Sequence, residues 1–464
     1  MEDLVVVVPG IMGSRLADAQ GRPVWDLSGG TLLRAVRTLG GSLKNLRLPA
    51  GTGDDHPGDG VRPVGLMPDL HVVPGLWEPI DGYTGLMSWL SRTFGLTPGD
   101  NLLDFPYDWR LSCRYNAGLL KRRVEEALER RRAARPGQAG ARVVFICHSM
   151  GGLVARHYVE CLGGHAVTRR VITLGTPHRG SLDALGHLVN GLHKGWGPLG
   201  LDLTAFARSL PSLHQLAPDY ACLAGPDGGL EYARDLPGLP GVDPELLADA
   251  ARFHAALRSA ADRQDRTELH AVVGVHQPTA TTARYAEAEG RLVLLETIGG
   301  TDEGGDGTVP RLAARPANAD RTGHLVAESH TACEQHGSLQ NNPGVRDTLI
   351  RLLGQEPPFH RGGEGAGPPL GVHAPGLLEP GDPYEVTVTV PVAADGHDRL
   401  ALTAELHPAA GGRPVLRSLR NLGGGRYAAT YPAPAPGGYR LVVRPDRTDE
   451  GAVTALTLVG GPDD

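Results

Sequence analysis

The sequence is poor in lysine and cysteine and has no excess of positive charge. The low cysteine count and the charge each argue against a class of protein. Lys44, Lys121 and Lys194 are the only lysines, and the net charge of the 464 residues is −7. Arginine supplies the other basic residues, but the negative net charge argues against nucleic-acid binding, which calls for a basic patch, so we expect no nucleic acid as a partner. The five cysteines are scattered and odd in number, so they indicate no disulfide framework.

Long apolar runs are also missing. No run approaches the roughly 18 residues that a membrane span needs. The first predicted strand, Leu4–Val8, begins close to Met1 and leaves no room for a cleavable signal peptide. These features predict a soluble, cytoplasmic protein, with peripheral contact to a membrane as an open alternative. Since no metal-ligand cluster or phosphate-binding loop stands out, we expect neither a metal nor a cofactor.

Strands and helices alternate over residues 1–354. This alternation predicts an α/β domain with a mostly parallel sheet and helices on both faces. The predicted strands are Leu4–Val8, Leu102–Phe105, Arg142–Cys147, Arg170–Leu174, His270–Val275, Leu292–Ile298 and Gly323–Ala327. The predicted helices are Tyr83–Phe94, Tyr115–Arg132, Met150–Cys161 and Val345–Leu353.

Two stretches interrupt the alternation. Residues from about 181 to 266 carry several short helical patterns and predict a helical cap. Residues 41–82, rich in glycine, proline and aspartate, predict a lid loop whose apolar side chains contact an apolar substrate. The alternative is that these side chains only anchor the loop to the body. Trp77 and Met12 are our candidates for substrate binding.

The C-terminal part follows a different pattern. Residues 355–383 are rich in glycine and proline and predict a linker. Residues 384–464 contain five short alternating runs separated by turn residues, which predicts an all-β sandwich. The segments 423–431 and 436–443 resemble bacterial immunoglobulin-like modules. No chemistry is visible in this module: docking to an unknown partner, contact with a membrane and simple stabilisation all stay open.

The segment Val143–Gly152 is the most informative in the chain. An apolar, β-branched run stops at the turn C-H-S-M-G-G, and a helical pattern begins at once. This is the sequence form of a nucleophile elbow, in which a sharp strand-to-helix turn exposes a serine hydroxyl. Cys147 replaces the first glycine of the usual G-x-S-x-G, and its small side chain is tolerated there. Ser149 is the predicted nucleophile, and the helix N-terminus adds partial positive charge beside it.

A serine nucleophile needs a base and an orienting carboxylate, which follow it in the order acid, histidine in α/β-hydrolases. Asp306 lies in a G-D-G turn beyond the strand predicted at 292–298 and is the predicted acid, with Asp302 as its rival. His330 and His336 lie between the last predicted strand and the last predicted helix. We favour His336 because a Gly-Ser pair follows it and can direct the imidazole inward.

The glycine-rich turn after the first strand, Val8–Ser14, is a candidate oxyanion site. Such a turn can present a backbone N–H to the developing negative charge. Ile11 is the predicted first donor, with Met12 as the alternative. The second predicted donor is the N–H of Met150, next to the nucleophile.

Six segments together resemble the lecithin:cholesterol acyltransferase family and its bacterial lipase-like relatives. They are V-P-G-I-M-G-S (8–14), F-P-Y-D-W-R-L-S (105–112), H-S-M-G-G (148–152), L-G-T-P-H-R-G-S (174–181), G-D-G-T-V-P (305–310) and H-G-S-L (336–339). The resemblance implies an α/β-hydrolase fold, an acyl-serine intermediate and a lipid ester as acyl donor. It carries over Ser149, Asp306 and His336 as the triad, and Ile11 and Met150 as oxyanion donors.

Three departures limit what this resemblance implies. Secreted members have signal peptides and paired cysteines, and the eukaryotic enzymes lack the β-module, so sterol esterification is poorly supported. Within the family's Y-D-W-R segment, Asp108 and Arg110 are interpreted as a buried charge pair beside the aromatic wall of Trp109. A substrate contact is the alternative for this segment.

The sequence therefore predicts a serine lipase or phospholipase A-type enzyme that acts through an acyl-Ser149 intermediate. The nearest alternative is an O-acyltransferase, which passes the acyl group to an alcohol instead of water. A catalytically inactive hydrolase scaffold that binds a partner is a further hypothesis. A peptide or amide hydrolase also stays open, since a triad alone does not choose the bond.

Overall fold

The computed structural model describes residues 1–26, 46–69, 82–194, 201–225, 228–236, 238–261, 267–316, 329–354, 369–391, 398–446 and 451–460. The strands up to residue 354 are β1 (Leu4–Val8), β2 (Ser14–Ala17), β3 (Pro23–Trp25), β4 (Arg62–Leu66), β5 (Leu102–Asp104), β6 (Val143–His148), β7 (Thr168–Leu174), β8 (His193–Lys194), β9 (Leu201–Asp202), β10 (Leu223–Ala224), β11 (Leu230–Glu231), β12 (Glu268–Gly274), β13 (Thr282–Ala286), β14 (Arg291–Leu295), β15 (Thr297–Ile298), β16 (Thr301–Asp302) and β17 (Ser329–Ala332). The helices are α1 (Thr84–Phe94), α2 (Cys113–Ala134), α3 (Met150–Arg156), α4 (Leu182–Asn190), α5 (Thr204–Arg208), α6 (Pro211–Gln215), α7 (Pro244–Ala261) and α8 (Pro343–Leu353).

A six-stranded parallel sheet forms the centre of the N-terminal part. Its order is β17-β12-β7-β6-β1-β5, and each neighbouring pair is parallel. Alternate residues of β1 enter two different apolar cores: Val6 packs with residues of α2 and α3, whereas Val5 packs with residues of α1 and α8. A sheet buried on both faces needs the continuous apolar runs that this sequence provides. The predicted α/β class is confirmed.

Five predicted strands of this sheet (β1, β5, β6, β7 and β12) have bounds within two residues of the prediction. The strand predicted at 323–327 lies outside the described residues. The helix predicted at 150–161 is α-helical as far as Arg156 and continues as a π-helical turn, His157–Cys161. Within the described residues, no helix combines the length and apolar character that a membrane crossing requires.

The structure corrects the prediction of a single sheet strand at 292–298. This segment does not join the parallel sheet but divides into β14 and β15, and β14 pairs antiparallel with β13. The turn before it, closed by a hydrogen bond from Gly290 N–H to Glu287 O, sends the chain straight back along β13. Leu294 and Leu295 are about two-fifths exposed, which fits a surface hairpin rather than a sheet interior.

The predicted cap region contains helices α4 to α7, as expected, together with the short strands β8 to β11. The described part of the predicted lid loop, 46–69, is anchored to the body. Strand β4 pairs with β2, and Leu46, Leu48 and Met67 are buried. The alternative interpretation, that this loop is pinned down, therefore holds for 46–69, whereas Trp77 lies outside the described residues.

The C-terminal module contains nine described strands. They are β18 (Gly371–His373), β19 (Leu377–Leu378), β20 (Tyr384–Thr389), β21 (Leu402–Pro408), β22 (Val415–Ser418), β23 (Arg420–Gly423), β24 (Arg426–Tyr431), β25 (Gly437–Pro445) and β26 (Val453–Val459). Sheets β18-β20-β24-β23 and β19-β26-β25-β21-β22 share one apolar core, in agreement with a β-sandwich. Strands β18 and β19 lie inside the predicted linker but pair with β20 and β26. The immunoglobulin-like character stays a prediction.

Gly151 provides a test of how closely the elbow helix approaches the first strand. A Cβ atom added there would lie 2.4 Å from Pro9 O and 2.6 Å from Val8 O, both backbone atoms. We expect Gly151→Ala to lower the free energy of unfolding by about 2 kcal/mol or more, because the backbone must move. Urea denaturation followed by circular dichroism measures this change.

The matched control is Gly118→Ala, within α2, where an added Cβ meets no atom within 4 Å. This change should raise the free energy of unfolding by about 0.5–1 kcal/mol, since alanine is the better helix former. Equal stability of the two variants would contradict the close contact between α3 and β1.

Candidate active site

Ser149 lies on a strained turn between β6 and α3. Its φ of 51° and ψ of −129° are rare for a residue with a side chain. Two hydrogen bonds to its main chain hold the turn: its N–H donates to Leu174 O at 2.9 Å, and its carbonyl accepts from Thr176 Oγ1 at 2.8 Å. The neighbouring strand β7 and the segment after it therefore fix the serine backbone, as in a nucleophile elbow.

The structure brings the three predicted triad residues together. His336 Nε2 lies 2.8 Å from Ser149 Oγ, and His336 Nδ1 lies 2.8 Å from Asp306 Oδ2. A carboxylate only accepts hydrogen bonds, so Nδ1 carries the proton and Nε2 presents its lone pair to the serine hydroxyl. All three side chains are buried. The hydroxyl is thus positioned to give its proton to the imidazole.

The carboxylate of Asp306 is fully buried, and both of its oxygen atoms are satisfied. Oδ1 accepts hydrogen bonds from Thr308 N at 3.1 Å and Val309 N at 2.7 Å, and Oδ2 faces the imidazole. The main-chain N–H of His336 donates to the carbonyl oxygen of Asp306 at 2.7 Å. The acid and base loops are therefore joined by backbone as well as by side chains.

The rival residues lie elsewhere. Asp302 is exposed, and its Oδ1 accepts a hydrogen bond from the N–H of Gly304. His330 lies within β17 instead of after it, and its ring stacks on that of His270. The structure thus pairs His336 with Asp306, in agreement with the favoured prediction.

The turn after β1 leaves two backbone donors for an oxyanion. The N–H of Gly10 donates to Tyr83 Oη at 2.8 Å, and that of Gly13 donates to Gly10 O at 3.1 Å. Among the described residues, none accepts a hydrogen bond from the N–H groups of Ile11, Met12 or Met150. These are the predicted donors and the alternative, so the oxyanion assignment stays a prediction that the geometry permits.

A second histidine connects the parts of the site. His148 Nε2 lies 2.9 Å from the carbonyl oxygen of His336, and its Nδ1 lies 2.8 Å from Tyr83 Oη. Since a carbonyl only accepts, Nε2 donates, and Nδ1 accepts from the Tyr83 hydroxyl. Burial, reinforced by the nearby His336, lowers the pKa of His148 to about 3, so this ring is neutral. Tyr83 then accepts from Gly10, which ties the oxyanion turn to the base.

This connection was not predicted from the sequence. His148 stands in the elbow motif itself, beside the nucleophile, which is the one signal that could have found it. Tyr83 has no local signal, because its hydroxyl meets Gly10 across 73 residues of chain.

The Y-D-W-R segment contains the expected ion pair. Arg110 Nη2 lies 2.7 Å from Asp108 Oδ2, and both side chains are almost fully buried. Trp109 is also buried and packs edge-on against Trp25 and Phe206, with ring centroids 5.4 Å and 6.2 Å away. The structural interpretation of this segment is confirmed.

The two substrate-binding candidates have different outcomes. Trp77 lies outside the described residues. Met12 is buried in the main apolar core, with a φ of 62°, and its carbonyl accepts a hydrogen bond from Trp25 Nε1 at 3.0 Å. Its contact with substrate stays a prediction. In the described part of the chain, no group of three histidine, cysteine or acidic side chains is placed to hold a metal ion.

Residues 50–225 match the family described as Lecithin:cholesterol acyltransferase. Over this segment the chain resembles the lecithin:cholesterol acyltransferase family. The resemblance recognised in the sequence is thereby confirmed, and it supports an enzyme of the esterase or acyltransferase kind. The matched segment contains the elbow with Ser149 and the Y-D-W-R segment, whereas Asp306 and His336 lie beyond it.

The solved structures that align with this chain include a lipase, BlEst2 from Bacillus licheniformis. Its mature form has 13% sequence identity and a TM-score of 0.35, and the alignment covers 76% of this chain and 91% of the lipase. Its propeptide form has 12% identity and a TM-score of 0.35, with 98% and 93% covered. A comparison with curated proteins finds no match.

Three buried histidines predict how stability depends on pH. Burial lowers the pKa of His148 to about 3, and those of His157 and His254 to about 4. In the unfolded chain each titrates near 6.5. Between about pH 6.5 and pH 4, the unfolded chain binds these protons and the folded chain does not. The free energy of unfolding should therefore decrease as the pH is lowered, by up to ~1.4 kcal/mol per pH unit for each histidine.

Melting temperatures at pH 7.5, 6.5 and 5.5, at constant ionic strength, measure this effect. His254→Gln removes one of these titrating groups, so the melting temperature of the variant should fall less steeply on acidification than that of the wild type. A wild-type melting temperature that stays level or rises on acidification would show that these rings are not buried in the neutral form.

Proposed function

We propose that the chain is a serine hydrolase that cleaves a lipid ester, of the lipase or phospholipase A type, through an acyl-Ser149 intermediate. The observation that carries the proposal is the buried series of contacts from Ser149 Oγ to His336 Nε2 and from His336 Nδ1 to Asp306, each 2.8 Å long. The family match supports the ester bond as target, and the family's lipid substrates support a lipid as the acyl donor.

The first half of the reaction forms the acyl-enzyme. Ser149 Oγ attacks the ester carbonyl carbon while His336 Nε2 takes the hydroxyl proton. The carbonyl electron pair moves onto its oxygen, and the N–H groups of Ile11 and Met150 stabilise this negative charge. Asp306 offsets the positive charge of the imidazolium. When the tetrahedral intermediate collapses, His336 returns the proton to the leaving alcohol.

The second half releases the acyl group. His336 takes a proton from water, and the hydroxide oxygen attacks the acyl carbon. Collapse of this second intermediate frees the fatty acid and restores the Ser149 hydroxyl, which regains its proton from the imidazolium. An alcohol in place of water would give a new ester. The name of the matched family favours this O-acyltransferase activity as the second candidate.

Replacement of the nucleophile tests the proposal directly. Ser149→Ala should abolish labelling by a fluorophosphonate probe and lower the hydrolysis of p-nitrophenyl esters by about 10³-fold or more, because no acyl-enzyme can form. Ser88→Ala, at an exposed position of α1, is the matched control and should react as the wild type does. Gel fluorescence and release of p-nitrophenol measure the two effects.

Substrate series then separate the competing functions. Faster turnover of long-chain than short-chain esters supports a lipid substrate, and peptide amides should not be cleaved. With an added alcohol, free fatty acid as the main product supports a hydrolase, whereas a new ester supports an acyltransferase. A folded wild type that neither reacts with the probe nor cleaves any ester, even with lipid vesicles present, would contradict both the hydrolase and the acyltransferase. It would favour the catalytically inactive scaffold that binds a partner.

The acid is tested by a matched pair of variants. Asp306→Asn should lower kcat about 10³- to 10⁴-fold, since an amide donates to Nδ1 and favours the wrong imidazole tautomer. Asp302→Asn changes an exposed carboxylate four residues away and should leave kcat within about twofold of wild type. Steady-state kinetics on one ester provide the comparison. The reverse order of effects would make Asp302 the acid.

A further inference from the structure

The side chain of Gln277 joins the N-terminal domain to the C-terminal β-module. Its amide Nε2 donates to Leu370 O at 3.0 Å, and its Oε1 accepts from Val372 N at 3.1 Å. The two bonds together match the donor and acceptor of a neighbouring strand, and Gln277 is only 1% exposed. A buried amide that uses both ends in this way fixes the position of its backbone relative to strand β18.

The backbone of Gln277 belongs to the acid loop. Its N–H donates to Gly305 O at 3.0 Å, and its carbonyl accepts from Gly305 N at 3.2 Å. The next residue after Gly305 is Asp306. A displacement of β18 would therefore be transmitted through Gln277 to the backbone at Gly305 and from there to Asp306, which carries the carboxylate.

Glu334 makes a second connection, on the base loop. Its Oε1 accepts from Gln335 N at 2.9 Å and from Thr454 N, in strand β26 of the module, at 2.8 Å. Its Oε2 accepts from Asn342 Nδ2 at 3.2 Å, and Asn342 Oδ1 caps helix α8. Glu334 is 2% exposed. In the chain, His336 thus lies between Glu334, which contacts the module, and Asn342, the helix cap that Glu334 holds.

Further contacts bring the two parts close together. Cys333 Sγ donates to Leu370 O at 3.0 Å, and Gln335 Nε2 donates to Val372 O at 3.2 Å. A Cβ atom added at Gly371 would lie 2.6 Å from the carbonyl oxygen of His276, so β18 approaches the backbone beside Gln277 as closely as a glycine allows.

We propose that the β-module is part of the active-site framework, and that Gln277 and Glu334 are positioning residues through which β18 and β26 set the places of Asp306 and His336. Neither residue touches the reacting atoms. This inference rests on the proposed function, because it assigns the module a task in the triad chemistry. The module's work is therefore to hold the acid and the base in register with Ser149, instead of recruiting a separate partner.

Small displacements suffice for a large effect. An error of about 1 Å in the position of a catalytic group can cost 10²-fold in rate. Removal of Gln277 leaves Val372 N without this acceptor, and removal of Glu334 leaves Gln335 N and Thr454 N without theirs, so the loops must shift to find new partners.

The test uses the full-length chain with Gln277→Ala and Glu334→Ala. Glu385→Ala, at an exposed position of β20, is the matched control within the module. We expect kcat for a p-nitrophenyl ester to fall about 10- to 100-fold in the first two variants, with KM within about twofold. The acid limb of the pH–rate profile should shift, since the environment of the base changes. The control should stay within twofold of wild type.

Hydrogen–deuterium exchange provides a readout that needs no turnover. In both variants, segments 303–309 and 333–341 should exchange faster, while strands β21 and β25 stay protected. Glu334→Gln keeps an acceptor for Gln335 and Thr454, so it should recover kcat to within about threefold of wild type. If an alanine variant fails to fold, Gln277→Glu replaces it, because its carboxylate cannot donate to Leu370 O. Gln277→Glu should show the same loss of kcat and the same faster exchange, compared with Glu334→Gln as the control.

Folded variants with an unchanged kcat, an unchanged pH profile and wild-type exchange in both segments would overturn the inference. So would faster exchange confined to the module. A wild type that does not react with the fluorophosphonate probe would instead contradict the proposed function. The exchange measurements would in that case still decide whether the module fixes the two loops.

Discussion

A carboxylate that is sealed from water determines the layout of this site. Burying an ionised carboxylate without partners costs several kcal/mol, so the chain must bring donors to it. Thr308 and Val309 supply two N–H groups, and the imidazole of His336 supplies the third. Because the third donor is Nδ1, the opposite nitrogen is left to accept from Ser149. The solvation requirement of Asp306 thus fixes the tautomer on which the proposed proton transfer from Ser149 depends.

The site keeps one of its two histidines uncharged. The rings of His148 and His336 lie with centroids 5.0 Å apart, so two positive charges would repel strongly. Burial holds His148 in the neutral form, and its hydrogen bonds to Tyr83 and to the carbonyl oxygen of His336 use both nitrogen atoms. In the proposed acylation the positive charge would therefore reside on His336, opposite the carboxylate. His148 orients the base loop without competing for the proton.

The sequence carried enough local information for the parallel sheet, the elbow and the order of the triad. Each of these depends on signals within about ten residues: apolar runs, a G-D-G turn, a histidine before a capped helix. Sequence patterns did not predict contacts between residues that are far apart in the chain. Leu292–Ile298 has the apolar pattern of a sheet strand, but pattern alone does not reveal that β14 pairs with β13. Gln277 and Glu334 look like ordinary polar loop residues, because their partners lie 93 and 120 residues further along the chain.

The contact between Glu334 and Thr454 has a consequence for biosynthesis. Ribosomes add about 5–20 residues per second, so the strand that holds the base loop is made ~6–24 s after Glu334. Ser149, Asp306 and His336 all precede that strand, yet the proposed framework for their geometry is complete only once the strand has folded against the base loop. A nascent chain therefore carries every reactive group before it has an organised site. The proposed esterase activity would therefore arise only after strand β26 has been made and has folded against the base loop.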